Sequence, residues 1–410
     1  MGVIGTAAIV VLAVALHGLA TLGVVVAIVA LIVAHEAGHF IAAKRFGMKV
    51  SEFFVGFGPK IWSVRKGETD YGIRALPLGG YVRIVGMNNL ESVDPADEAR
   101  TDRQAPFWRR ALVSLAGPAV HFILALVLLW SLLALVGTPF ATGNIQISGF
   151  PALSGVANPA RRAGLQKGDV ISSVNGRPVD VRSAAVLESV LRSHAGQAVR
   201  LGVTHAGVKR VVTVVPVNAR AHPEQGATRL APTGPAVGAI GVRLGEAVAL
   251  RRDGPGRALL GSVQGIGRIS WLSVQSIAQR FSPHGISAYV QQLGGHRPPP
   301  LSSAARFESP IGIGRLAYQA AAAGLAAVLT LLVEINVFLG LFNLLPLLPL
   351  DGGHIAVALY ERLRSTKSRP YHADVAKLLP LAYAVILAMV VLGITAAYLD
   401  ITQPLPNPFQ

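Results

Sequence analysis

The sequence predicts an α-helical polytopic membrane protein with about four transmembrane helices, a membrane-associated β element and an inserted β-rich domain. Of its 410 residues, 52% are hydrophobic and 14% are charged, whereas soluble domains carry about 25% charged residues. The apolar residues are concentrated in four blocks, each of roughly the 20 residues that a bilayer crossing needs. Two regions outside these blocks, 50–85 and 145–245, contain short β-branched runs separated by glycine and proline, which is typical of strands and turns.

The four predicted spans follow the apolar blocks in chain order. The third block runs into Pro346 and Pro349, which cannot continue a regular helix. Apolar sequence also precedes the first span, so either a separate hydrophobic segment ends near His17-Gly18 or the first helix protrudes; a single crossing is favoured. This early part has no basic region and no clear cleavage site, and we expect it to be retained. The spans are predicted at about 19–44, Ala111–Val136, about 321–345 and Leu378–Tyr398.

Lysine and arginine are frequent in the connections between spans one and two and between spans three and four. Both connections are therefore predicted to be cytoplasmic, which places the long segment between spans two and three, and the C-terminus, outside. The formal net charge of +16 is explained by basic loops beside anionic lipid. No nucleic-acid-binding module is recognisable, so no nucleic acid partner is expected.

The sequence His35-Glu36-Ala37-Gly38-His39 carries the clearest chemical signal. Positions i and i+4 of a helix lie on one face, so both imidazoles can bind one zinc ion while Glu36 projects beside it. Two hydrogen-bonded helix histidines would be the ordinary structural explanation. That explanation is disfavoured because ionisable side chains within a membrane span are costly and are usually functional.

A catalytic zinc site usually has three protein ligands, and the chain has no cysteine. Asp351 is the best third ligand, because a carboxylate just after an apolar span and two prolines needs a partner. A helix cap at the membrane surface is the alternative role for Asp351. His354 is a rival ligand on spacing alone.

The stretch Ala163-Gly164-Leu165-x-x-Gly168-Asp169-Val170-Ile171, with Val174-Asn175-Gly176 after it, resembles a PDZ domain. Such a domain accepts an extended peptide or a chain end at a sheet edge. The resemblance covers about 90 residues. It implies that the predicted β-rich external domain, 145–245, is a PDZ domain.

The motif in the first span, the PDZ-like insert and Asn343-x-x-Pro-x-x-Pro-x-Asp-Gly in the third span together resemble the site-2 protease family of intramembrane zinc metalloproteases, peptidase family M50. The arrangement is similar to bacterial members that cleave membrane-spanning anti-sigma factors in regulated intramembrane proteolysis. The resemblance implies one Zn²⁺ per chain and a multi-pass protein of the bacterial inner membrane, with its active site near the cytoplasmic side. It also implies a single-span membrane protein substrate, trimmed first by an upstream protease.

The resemblance assigns roles residue by residue. It implies that His35, His39 and Asp351 bind zinc and that Glu36 is the catalytic base. Asn343 and the segment Gly79-Gly80-Tyr81 are expected to bind the substrate, the latter within the β element that pairs with an unwound substrate strand. Ser309-Pro310-Ile311-Gly312-Ile313 resembles the segment that precedes the third span in these enzymes.

One residue departs from the family pattern. The second span usually opens with Gly-Pro-x-x-Asn, but here the sequence is Gly117-Pro118-Ala119-Val120-His121. His121 either replaces the hydrogen bond of the asparagine or approaches the zinc as an extra ligand. The first role is favoured because three ligands already complete the site.

This interpretation divides the chain into nine regions. They are the N-terminal apolar segment with span one (1–46), the cytoplasmic-side β region (47–106), span two (107–138), the PDZ domain (145–245), an amphipathic linker with a helix at Trp271–Phe281 and the proline-rich His296–Pro300 (246–318), span three (319–352), a cytoplasmic loop (353–377), span four (378–400) and a tail (401–410).

Two other classes of protein remain as alternatives. A membrane zinc transporter would also use intramembrane histidine and aspartate, but it needs polar residues along several spans, and spans two and four have almost none apart from His121. A non-catalytic scaffold with a PDZ domain would need neither Glu36 nor a metal.

Overall fold

The computed structural model describes residues 2–87, 92–224, 234–295, 307–366 and 371–409, with the backbone alone at 2–17, 77, 78 and 375. The chain forms two compact units. One unit comprises Met1–Gly137 and Arg252–Gln410, and the other comprises Thr138–Arg251. The predicted proline-rich stretch at 296–300 lies outside the described residues.

Four helices in the described part of the chain are long and apolar enough to cross a membrane, as predicted. The spans are Gly18–Arg45, Phe107–Val136, Leu325–Asn343 and Ala376–Thr402. They belong to helices α1 (Gly2–Arg45), α2 (Phe107–Ser131, continued by a π-helical turn at Leu132–Val136), α8 (Leu325–Asn343) and α10 (Leu379–Thr402). Helix α1 is broken at Gly18, where φ is 82° and ψ is 170°, close to the predicted break at His17-Gly18.

The third span begins later than the sequence suggested. The apolar pattern predicted it from about residue 321, but Gly324 has a φ of +105° and divides α7 (Pro310–Ala323) from α8. Glycine tolerates this conformation, which other residues avoid. The apolar stretch is therefore two helices, and the span is only the second of them.

The region between the second compact unit and α7 is also more regular than a linker. Helix α5 occupies Pro255–Arg280 and helix α6 occupies Pro283–Leu293. The predicted amphipathic helix at Trp271–Phe281 is thus the second half of a longer helix. Proline at the first turn of both helices suits a position that needs no amide donor.

Residues 50–84 form a strongly bent antiparallel sheet from strands β1 (Val50–Lys66) and β2 (Thr69–Ile84). Phe54 pairs with both Tyr81 and Gly72, while Trp62 pairs with Ile73. The two strands therefore act as four segments in the order 60–66, 69–76, 50–57 and 80–84, which leaves 60–66 and 80–84 at the edges. Six apolar side chains of this sheet are between 46% and 57% exposed, which suits a β element that lies against lipid: Phe57, Ile61, Trp62, Val64, Ile73 and Leu76.

The second compact unit is a β domain with its own core. Its main sheet has the order β10-β3-β4-β6-β7, with β5 paired to β4, and β8 pairs with β9. Ile145, Ile171 and Leu201 are among its buried core residues. Its elements are β3 (Thr138–Gly149), α3 (Pro159–Arg162), β4 (Val170–Val174), β5 (Arg177–Pro178), α4 (Ala184–Ser193), β6 (Val199–His205), β7 (Val208–Val214), β8 (Val217–Asn218), β9 (Gly238–Ala239) and β10 (Arg243–Arg251). The unit is longer at both ends than the predicted 145–245, because β3 and β10 pair along their whole length, from Thr138 opposite Arg251 to Gly149 opposite Arg243.

A buried ion network links α2 to helix α9 (Asp351–Arg364). The Arg110 guanidinium donates to Asp102 at 3.0 Å and to Glu361 at 2.5 Å. Burial raises the pKa of Asp102 above its ordinary value, although Arg110 opposes the change. Glu361 also accepts a hydrogen bond from the Ala373 amide at 2.7 Å. The Arg110 guanidinium therefore connects α2 to the loop at Asp102, to α9 and, through Glu361, to the backbone at Ala373.

Replacing Arg110 with methionine is expected to destabilise the membrane unit by about 3–5 kcal/mol, because two buried carboxylates lose their cation. Thermal unfolding of the purified protein in detergent measures the change. Arg65→Met is the matched control, because Arg65 is 72% exposed and 4.0 Å from Asp70, and such pairs contribute about 0–1 kcal/mol. Equal unfolding midpoints for the two variants would contradict the assigned role of the network.

Candidate metal centre

His35 and His39 on α1 direct their imidazole rings toward each other, as their i, i+4 spacing predicted. Their Nε2 atoms are 3.1 Å apart, and both residues are only 6% exposed. The helix positions them because residues four apart lie one above the other on the same face.

Asp351 reaches both imidazoles from the first turn of α9. Its Oδ2 lies 3.3 Å from His35 Nε2, and its Oδ1 lies 3.3 Å from His39 Nε2. The two glycines that follow allow the preceding loop to fold back on the start of α9, since a Cβ at Gly352 would lie 2.2 Å from the Leu344 carbonyl oxygen. Asp351 is the first residue of α9, whose N-cap is Leu350. Both of its carboxylate oxygens face the imidazoles, which disfavours the alternative role of a cap.

The geometry of these three side chains fits a zinc ion. Their ligand atoms all lie within 4.8 Å of one another. Tetrahedral zinc with bonds of about 2.0–2.1 Å requires ligand atoms about 3.3 Å apart, which is close to the three distances found here.

Helix α2 covers the metal-binding face of α1. The Nδ1 atom of His39 is 2.7 Å from the Val113 carbonyl oxygen, so Nδ1 carries the proton and Nε2 presents its lone pair to the metal position. One turn along α2, a Cβ at Gly117 would lie 2.2 Å from His39 Nε2 and 2.6 Å from a carbon of the His35 ring. Only glycine at this position lets the two helices approach so closely.

Glu36, which directly follows His35 on α1, lies against the β sheet. A Cβ at Gly80 would be 2.3 Å from Glu36 Cγ, so the edge segment 80–84 comes directly against this side chain. Glu36 precedes the end of α1 by nine residues, which is about 14 Å along the helix axis. The sheet edge therefore reaches well into the depth of the first span.

The remaining residues that the sequence singled out lie outside the group formed by His35, His39 and Asp351. Gly79 lies against the Phe57 ring, since a Cβ added at this glycine would be 2.6 Å from the ring edge. Tyr81 lies opposite Phe54 in the sheet with Arg74 over its ring at 5.0 Å. Asn343 is the last residue of α8. His354 does not join the three-residue group in the described part of the chain, and burial lowers its pKa.

His121 is buried beside the metal-binding group and is not a member of it. Its Nδ1 is 2.9 Å from Asn336 Oδ1, which is the hydrogen-bonding role favoured from the sequence. Asn336, fully buried on α8, was not identified by sequence reasoning. The sequence signal for it was a single amide within an apolar span, which is costly in lipid unless the amide has a partner.

Two buried histidines on a membrane-spanning helix, joined by a carboxylate from the start of α9, form a group that could hold a metal ion, which is typical of a multi-pass zinc metallopeptidase. Comparison with known proteins agrees: the family model described as Peptidase family M50 matches residues 23–390. The chain is 32% identical to the zinc metalloprotease Rip1 of Mycobacterium tuberculosis, over 92% of this chain and 94% of that protein. It is also 32% identical to Rip1 of Mycolicibacterium smegmatis, over 94% of this chain and 98% of that protein.

The chain therefore belongs to peptidase family M50, the site-2 proteases. It is a zinc metalloendopeptidase embedded in the membrane. This finding confirms the family, the class of enzyme and the zinc cofactor that were predicted from the sequence.

Gly117→Ala is expected to lower the zinc content from about one per chain to a small fraction, because the added methyl group would overlap the His39 ring. Metal analysis of the purified protein by mass spectrometry measures this. Gly393→Ala is the control, since Gly393 lies in span four with nothing within 4 Å of the added Cβ. Full zinc occupancy in the Gly117 variant would contradict the close approach of α2.

Proposed function

We propose that this enzyme cleaves the transmembrane segments of single-span membrane proteins, such as anti-sigma factors, in regulated intramembrane proteolysis. The observation that carries the proposal is the position of Glu36, which directly follows His35 on α1 and lies against the sheet edge at Gly80. A peptide bond held between these two elements would lie within reach of both. The alternatives of a transporter and a scaffold give no reason for a glutamate at this point.

His35, His39 and Asp351 would hold the zinc ion. When bound, zinc lowers the pKa of a water molecule and polarises a carbonyl group. Glu36 would take a proton from the attacking water and deliver it to the nitrogen of the departing amine. The peptide C–N bond is thereby exchanged for a carboxyl group and a free amine.

The β sheet would hold a helical substrate in the extended conformation that cleavage requires. Carbonyl groups inside a helix are hydrogen-bonded to the backbone and shielded, so the substrate must be extended before cleavage. In the described part of the chain, segment 80–84 is the last strand at its side of the sheet, paired with 50–55, and a sheet edge accepts a further strand through backbone hydrogen bonds. Gly79, Gly80 and Tyr81 would form the part of this edge nearest Glu36, and Asn343 would contact the substrate backbone from the end of α8.

The orientation of the protein in the membrane would follow from the Lys/Arg bias of the connections between spans. The connection between spans one and two would be cytoplasmic, so the active site would lie near the cytoplasmic side of a bacterial inner membrane. The unit Thr138–Arg251 would be an extracytoplasmic PDZ domain, which binds a newly trimmed chain end or excludes substrates with large external domains. An upstream protease would perform the first cut.

Glu36→Gln is expected to reduce cleavage of a single-span reporter by about 10²–10⁴-fold, the usual contribution of a general base. The zinc content should stay near one per chain, because the three ligands are untouched. Cleavage at the wild-type rate would overturn the catalytic assignment. Membrane proteomics of cells with this variant should reveal accumulated single-span stubs, which identifies the natural substrates.

Gly80→Ala is expected to lower cleavage while leaving zinc bound, because its added methyl group meets Glu36 and none of the metal ligands. Reporter cleavage and zinc content are measured on the same preparation. Gly23→Ala, which adds a methyl group to α1 in open space, serves as the control. Unchanged cleavage in the Gly80 variant would contradict the close contact between the sheet edge and Glu36.

A further inference from the structure

One zinc ligand has a buried polar atom without a hydrogen bond. His35 directs Nε2 toward Asp351, while its Nδ1 is buried and has no hydrogen-bond partner in the described part of the chain. With Nε2 on the metal, Nδ1 must carry the proton. Histidine ligands nearly always donate this second proton to an acceptor, which orients the ring and raises its basicity.

The protonation of His121 is determined by a chain of hydrogen bonds that starts at the backbone. Asn336 Nδ2 donates to the Leu332 carbonyl oxygen at 2.7 Å, so its Oδ1 is the atom that faces His121. Because Oδ1 is an acceptor only, His121 Nδ1 must be the donor of the 2.9 Å hydrogen bond. In the neutral ring, His121 Nε2 is therefore unprotonated and is an acceptor.

The acceptor on His121 and the donor on His35 belong to neighbouring rings. The ring centroids are 4.9 Å apart with an interplanar angle of 36°, and the residues are 1% and 6% exposed. The two nitrogens are not in direct hydrogen-bond contact, and this spacing suits a bridge through one water molecule. Buried waters commonly join polar groups in this way.

We propose that His121 is a positioning residue of the zinc centre: its Nε2 accepts the Nδ1 proton of His35 through one bridging water, and Asn336 holds His121 in the required tautomer. The proposal rests on His35 being a zinc ligand. It explains why a histidine and an asparagine lie buried on two apolar spans beside the three ligands. It also gives His121 a role other than that of a fourth ligand.

The test is the zinc dissociation constant of the purified full-length protein in detergent, measured by chelator competition. His121→Phe keeps a ring but removes the acceptor, and we expect zinc binding to weaken by about 10–100-fold, as for other outer-shell partners. His121→Gln retains an acceptor and should restore most of the affinity. Asn336→Leu should weaken binding in the same direction, and the two losses should not multiply in the double variant. Thr330→Val, which removes another polar group from α8, should leave the affinity unchanged.

Two further measurements separate the possible failures. If His35→Ala keeps full zinc affinity, the proposed metal centre is wrong and this inference falls with it. If His35→Ala loses zinc but His121→Phe binds as tightly as the wild type, the inference alone is overturned. The unfolding midpoint of the metal-free protein controls for misfolding: we expect it to change little in His121→Phe, while the stabilisation by added zinc decreases.

Discussion

The structure depends on one electrostatic constraint: an aspartate carboxyl group and two buried imidazole rings meet among apolar helices. Such a group is costly in lipid unless a cation balances it. Its ligand atoms lie 3.1–3.3 Å apart, close enough for one zinc ion to bind all three. The surrounding helices can be understood as the elements that hold these atoms in place.

Small residues make that arrangement sterically feasible. Gly117 and Gly38 let α2 pack directly on α1, where a Cβ at Gly38 would be 2.7 Å from the Ala116 carbonyl oxygen. Gly352 has a similar effect on the loop before Asp351. Close helix packing through small residues is the usual way to associate helices in lipid, where the hydrophobic effect between helices is absent. Here the same packing brings the Val113 carbonyl oxygen to His39 and His121 to His35.

The β sheet lies next to the same group of side chains and is the element that would bind the substrate. Its segment at 80–84 contacts Glu36, while its apolar outer side chains can lie against lipid. Irregular backbone at membrane depth is tolerated only where protein buries it or it lines a cavity. A substrate strand paired with the sheet edge beside Glu36 would bury backbone of this kind.

The amino-acid sequence was enough to predict the membrane class, the four spans, and the three side chains that the structure brings together, His35, His39 and Asp351. These predictions rest on local patterns, which involve residues that are close together in the sequence. The patterns are the length of the apolar blocks, the i, i+4 spacing of His35 and His39, and the isolated carboxylate at Asp351. The division of the third apolar block at Gly324 was missed, because composition does not report a backbone angle. The contact of Gly80 with Glu36, and that of Asn336 with His121, 215 residues apart in sequence, became visible in the folded chain alone. Those contacts depend on how helices and strands pack across the chain, and without an observed packing no spacing rule predicts them.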